Sequence, residues 1–221
     1  MWPARSQALT TRAPLFGSWC GVAVRLGLAL SLFLPGALRS EGAEPPAAGV
    51  SALYDALLQT MKQAKQLGLK GRYDKLAPVL AKTYNLPLMS RIAVGQSWDA
   101  LSAPQKQSII TAFTRMTTAT YANRFDGFSG ESLEVVRTVD RPNGDKLVMT
   151  RIVQSDGKIL ALNYLARNTG SDWRVIDVYL NGTISELASR RAEFAAILKS
   201  GGPEALVASL NKQGDKLLKG S

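Results

Sequence analysis

Residues 146–180, KLVMTRIVQSDGKILALNYLARNTGSDWRVIDVYL, decide the fold. Three apolar-rich runs of strand length, 147–153, 159–165 and 173–180, are separated by Ser155-Asp156-Gly157 and by Thr169-Gly170-Ser171-Asp172. A fourth run, 133–137, precedes them across Pro142-Asn143-Gly144-Asp145. Short Gly-containing turns between runs rich in β-branched and aromatic residues are hairpin signals, because glycine supplies the positive φ that a tight reversal needs. The segment therefore reads as a four-stranded antiparallel meander.

Strand periodicity sorts the side chains by face. Leu160, Leu162 and Tyr164 share one face, with Ala161 and Asn163 on the other. Strict alternation groups Trp173, Val175 and Asp177 against Arg174, Ile176 and Val178. On the run 147–153 it groups Leu147, Met149, Arg151 and Val153 against Val148, Thr150 and Ile152. Apolar residues occupy both faces, more than a sheet with one wet face requires.

Helical spacing flanks the strands on both sides. Leu53, Leu57, Met61 and Ala64 recur at helical intervals, and Gly68 and Gly71 punctuate the end of that helix. A second helix is expected over 73–83, with Pro78 kinking or restarting it, and a short third over 88–94, closed by Gly95. The longest should start at Ser102, where Gln105 completes a capping box and Pro104 suits the first turn. Its stripe, Ile109, Ala112, Phe113, Met116, Thr120 and Phe125, runs to Gly127. Helices return over 185–198 and 203–218, divided by Gly201-Gly202. The expectation is one α+β domain, helices packed on a four-stranded antiparallel sheet.

The N-terminal stretch has a different character. Residues 1–25 carry Arg5, Arg12 and Arg25 and no acid, and residues 26–34 are an unbroken apolar run. Pro35-Gly36 and the small residues Ser40, Gly42 and Ala43 follow, which completes the pattern of a secretory signal over 1–43. The apolar run is about half the ~20 residues a membrane span needs. The alternative, an uncleaved anchor over 15–38, must bury Arg25 at about 2.5–3.5 kcal/mol. Cleavage leaves 44–221, with 44–50 as a disordered leader rich in Pro and Ala.

Composition narrows the chemistry. The 221-residue chain contains no histidine, and its only cysteine, Cys20, lies inside the signal. Ser–His–Asp and Cys–His catalysis and zinc sites built on His or Cys are thereby excluded from 44–221. No GxxxxGK[ST] or GxGxxG occurs, and no cofactor or metal is implied. A carboxylate pair could still catalyse, but Asp172, Asp177 and Glu186 have no spacing that requires one. Residues 44–221 hold 23 basic and 16 acidic residues, a net charge of +7. That suits anionic lipid, an acidic partner or a merely soluble surface; export and the absence of basic runs argue against nucleic acid. The apolar positions admit two readings, an ordinary core or a tunnel for acyl or polycyclic hydrocarbon, since the same residue types line both.

A resemblance favours the tunnel. Trp173-Arg174-Val175-Ile176-Asp177-Val178 followed by Asn181-Gly182-Thr183-Ile184-Ser185 resembles the signature of the toluene-tolerance family, MlaC-type phospholipid-binding components of lipid ABC transport systems. Arg190-Arg191, Phe194, Ile197-Leu198, Gly201-Gly202, Leu206 and Leu210 continue the likeness. Upstream, so do Ala93-Val94-Gly95, Trp98, 105–113 and Tyr121-Ala122 with Phe125. Gly182-Thr183-Ile184-Ser185 departs from the common Gly-Val-Ser form and resembles the hopanoid-associated HpnM branch.

The resemblance implies a periplasmic carrier that encloses lipid tails between sheet and helices and exchanges phospholipid or hopanoid between inner and outer membrane. Implied partners are inner-membrane lipid transporter components and an outer-membrane lipoprotein complex. The lining it implies is Phe113, Met116, Tyr121, Phe125, Met149, Leu160, Leu162, Tyr164, Trp173 and Val175, with Asp177 and Arg190 as structural or docking groups. An adaptor with a filled core and a histidine-free enzyme are the competing readings.

Overall fold

The computed structural model describes residues 45–219. The signal expected over 1–43, with Cys20, lies outside the described residues.

Helix α1 (Pro45–Lys62) begins where a leader was expected: Pro46, Ala47 and Val50 are buried, so residues 45–50 are its first turns rather than a disordered segment. Proline is no obstacle there, because first-turn amides have no intrahelical partner to lose. Leu53, Tyr54, Leu57 and Met61 carry the buried stripe onward. Helix α2 (Ala64–Thr83) is broken at Gly68 (φ 61°, ψ −177°), and Pro78 causes no further break. Helix α3 (Leu86–Val94) is capped by Asn85, whose side chain accepts from the Leu88 amide at 3.1 Å. A 3-10 turn (Gly95–Trp98) leads towards α4 (Ala103–Arg124). Its capping box forms as the sequence predicts: Ser102 N–H donates to Gln105 Oε1 at 3.0 Å, and Gln105 N–H to Ser102 Oγ.

Strands β1 (Ser132–Asp140), β2 (Lys146–Val153), β3 (Ile159–Asn168) and β4 (Trp173–Leu180) form the expected antiparallel meander. A fifth strand, β5 (Ile184–Ser185), extends it to the order β1-β2-β3-β4-β5. Asn181 (φ 50°) and Gly182 (φ 78°) both adopt positive φ in the three-residue reversal, 181–183, that joins β4 to β5. Helix α5 (Glu186–Leu218) follows, capped by Ser185 Oγ, which accepts from Ala188 N at 2.9 Å. Gly202 (φ 71°) interrupts it before Pro203, so it consists of the two expected segments.

Register resolves the two-faced pattern. Val148 pairs with Tyr164, Ile152 with Leu160, Tyr164 with Val178 and Leu162 with Leu180, so these residues share the helix-covered face. Between Leu165/Ala166 on β3 and Asp177/Val175 on β4 the register slips by one residue. That bulge changes the phase of β4: Val175 joins Val178 on the covered face and Asp177 leaves it, contrary to strict alternation. Asp177 instead anchors the start of α5, its carboxylate accepting from Ser185 Oγ (2.6 Å), Leu187 N (3.2 Å) and Val178 N (2.7 Å). The main core lies between this face and helices α1–α5, and includes Leu53, Leu76, Leu80, Phe113, Tyr164, Phe194 and Leu206.

Candidate lipid cavity between sheet and helices

The core is incomplete along α4. A cavity of about 490 Å³ opens between this helix and the sheet, within the usual size range of small-molecule sites. Phe113, Thr117, Thr120, Tyr121 and Arg124 reach it from α4, spaced so that one helical face is presented. Ile152, Leu160, Leu162, Val178 and Leu180 form the sheet wall, and Met61, Tyr84 and Met89 close the far side. Phe113 is backed edge-on by Phe194, with ring centroids 6.4 Å apart. Phe125 stacks on Tyr121 at 5.6 Å, which holds both rings against the cavity.

The rim is charged with both signs. Arg124, Asp126, Glu131 and Asp156 stand there with Gln154 and Ser155, while Glu186 and Arg190 line the cavity from α5. Arg190 Nη2 contacts Glu186 Oε1 at 2.7 Å, with both side chains largely buried. Asp156 pairs with Lys158 at 2.7 Å, and Glu131 accepts from the Ser129 amide. Among the described residues, Arg124 and Asp126 have no hydrogen bond or ion pair, although Arg124 is exposed at the end of α4.

Four tyrosine hydroxyls gather at this wall, those of Tyr84 and Tyr121 from lining residues and those of Tyr54 and Tyr164 from behind them. Tyr84 Oη is hydrogen-bonded to Tyr121 Oη. Thr150 Oγ1 donates to the Leu162 carbonyl, so Tyr54 must be the donor in its own contact with Thr150. Tyr164, fully buried, has its ring 5.8 Å from Tyr54 and 6.5 Å from Tyr84. Its hydroxyl lies beside those of Tyr54 and Tyr121 without reaching hydrogen-bond geometry, and among the described residues it is the buried side-chain group left without a partner. A buried, unpaired hydroxyl costs about 1–3 kcal/mol. Burial raises the pKa of all four phenols, Tyr84 and Tyr164 most, so they remain neutral donors and acceptors at physiological pH.

The structure gathers five of the ten residues singled out from sequence, Phe113, Tyr121, Phe125, Leu160 and Leu162, around this cavity. Met116, Tyr164 and Val175 are packed behind its wall in the core. Met149 lies on the opposite sheet face, beside Arg137, whose Nε is 3.3 Å from the sulfur. Trp173 lines a second cavity, of about 680 Å³, with Pro45, Pro78, Val79 and the 168–172 turn. Arg190, read as a structural or docking group, lines the cavity while paired with Glu186. Sequence reasoning missed Met61, Tyr84, Met89 and Glu186, which reach the cavity only through the packing of separate helices. It also missed Val178, displaced by the bulge, and Ile152, whose pairing with Leu160 was the available signal.

Comparison with known proteins agrees with this architecture. No curated protein sequence matches the chain. Among solved structures, the phospholipid-binding protein from Ralstonia solanacearum, determined in complex with a phospholipid, superposes with a TM-score of 0.69 at 21% identity, covering 79% of this chain and 99% of that one. The likeness establishes a shared fold. The family model described as MlaC protein matches residues 51–212, from α1 to the second segment of α5. The chain belongs to the MlaC protein family.

Proposed function

We propose that this chain is a periplasmic lipid carrier, binding a phospholipid-class amphiphile and passing it between the inner and outer membranes without chemical change. The observation that carries this reading is the cavity itself: apolar side chains from α4 and β2–β4 within, charges of both signs at the rim. An amphiphile requires that arrangement. Each methylene shielded from water contributes about 0.8 kcal/mol, so acyl tails cross an aqueous compartment only inside a protein. Membership of the MlaC family, and the phospholipid bound by the Ralstonia protein of the same fold, support the reading. Export rests on the signal read over residues 1–43 and is part of the proposal, as are an inner-membrane transporter and an outer-membrane lipoprotein complex as partners.

A phospholipid is the cargo proposed, because the Ralstonia protein of the same fold holds one and the sequence departure that suggested a hopanoid lies away from the cavity. The departure Thr183-Ile184 lies at β5, where Ile184 is half-exposed, and neither residue lines the cavity. Native mass spectrometry of the chain purified without denaturant tests the reading. A mass increment equal to one phospholipid is expected, whereas a bare species with nothing extractable into organic solvent overturns it. A polycyclic increment would keep the carrier and replace its cargo.

A further inference from the structure

The cavity is graded along α4, and the grading bears on which part of a lipid stops where. Arg124 at the last turn is exposed, Tyr121 and Thr117 are half-buried and Phe113 is buried, so depth increases towards the N-terminal end of the helix. Arg124 to Phe113 spans about 16 Å at 1.5 Å per residue, and Tyr121 stands about 4.5 Å below Arg124. Along α4 the lining therefore passes from charge at Arg124, through hydroxyls at Tyr121, its partner Tyr84 and Thr117, to the apolar ring of Phe113.

Proton counting gives the middle level its chemistry. Two tyrosine hydroxyls carry two protons, and their mutual hydrogen bond uses one. The other proton has no acceptor at hydrogen-bond geometry among the described residues: neither hydroxyl makes a second hydrogen bond, and Tyr164 beside them is itself unpartnered. Thr117 has no hydrogen-bond partner among the described residues. The middle level therefore presents donors to the cavity in search of an acceptor.

We infer that the Tyr84–Tyr121 pair, aided by Thr117, hydrogen-bonds the ester carbonyls of a bound glycerophospholipid and makes the protein selective for acyl esters over alkyl ethers. The placement matches the ligand, whose ester groups lie a few bonds below the phosphate and immediately above the hydrocarbon. This rests on the carrier reading and adds a specificity to it. Ether oxygens are poorer acceptors held at a different angle, whereas head group and chains can be kept identical.

The test offers the full purified chain, stripped of lipid, vesicles containing equal amounts of diester phosphatidylethanolamine and its dialkyl ether analogue with the same saturated chains. Bound lipid is then extracted and the ester-to-ether ratio measured by mass spectrometry. One well-formed hydrogen bond predicts a preference for ester of about three- to tenfold in the wild type. Tyr84→Phe and Tyr121→Phe together should bring the ratio to about one. Each single variant, safer for folding, should lower it part of the way. Equal loading of both lipids by the wild type, or an undiminished preference in the folded single variants, overturns the inference and leaves the carrier intact. A wild type that takes up neither lipid overturns both.

Discussion

Two cavities of comparable volume face different parts of the molecule, and only one resembles a site. The first, about 490 Å³, is walled by regular structure: five sheet residues, one face of α4, and a buried hydroxyl cluster with protons to spare. The second, about 680 Å³, lies among residues of α1 and α2 such as Pro45, Pro78 and Lys82, the Gly170-Ser171-Asp172 turn and Trp173. Volume ranks the second higher; chemistry ranks the first. An enclosed apolar wall with polar groups at chosen depths has to be built by packing, whereas a gap between a helix end and a hairpin follows from chain geometry.

The comparison breaks most visibly if the wall of the first cavity is removed. Phe113→Ala deletes a buried ring that Phe194 supports, and should cost about 3 kcal/mol in urea or thermal unfolding. Filling is gentler on the fold and harsher on function. Leu160→Trp should reduce uptake of fluorescent phospholipid from vesicles at least about tenfold while costing about 1–3 kcal/mol of stability. Val79→Trp, at the second cavity, should leave uptake unchanged; the reverse pattern would exchange the roles of the two.

Smaller effects sharpen the contrast through pH. The folded state raises the phenolic pKa of Tyr54, Tyr84, Tyr121 and Tyr164 above that of an unfolded chain, about 10. The folded protein then holds more protons than the unfolded one above that pH, so stability should fall as pH rises past about 10. Absorbance titration should show these phenolates appearing together with unfolding rather than before it. At the acid end the sign reverses. Arg167 holds the buried Asp145 carboxyl below its usual range through two 2.7 Å contacts, stability that is present above the unfolded value and lost as pH falls through the folded one. Asp145→Asn should cost about 1 kcal/mol at neutral pH and flatten that acid limb, without affecting lipid uptake.

What the sequence disclosed depended on how local the signal was. Pro142-Asn143-Gly144-Asp145 and Ser155-Asp156-Gly157 mark the reversals of the meander, and Ser102/Gln105 and Gly202-Pro203 mark helix ends, because turns and caps are set within a few residues. The phase of β2 was not legible, since both of its faces carry apolar side chains, and Met149 therefore fell on the wrong one. Neither was the bulge at β4, which rotates Val178 into the wall without leaving a glycine or proline as notice. Proline-rich composition concealed the start of α1, where burial of Pro46, Ala47 and Val50 outweighs local propensity. On the cavity's far side, Met61, Tyr84 and Met89 come from three elements that no periodicity relates to one another.

The most direct measurement is a crystal structure of the chain purified with its own lipid still bound. Hydrocarbon density running past Leu160 and Leu162 towards Phe113, with the head group at Arg124 and Glu131, is the predicted result. Lipid seated instead between Val79 and Trp173, or a cavity along α4 holding no lipid, would contradict the account.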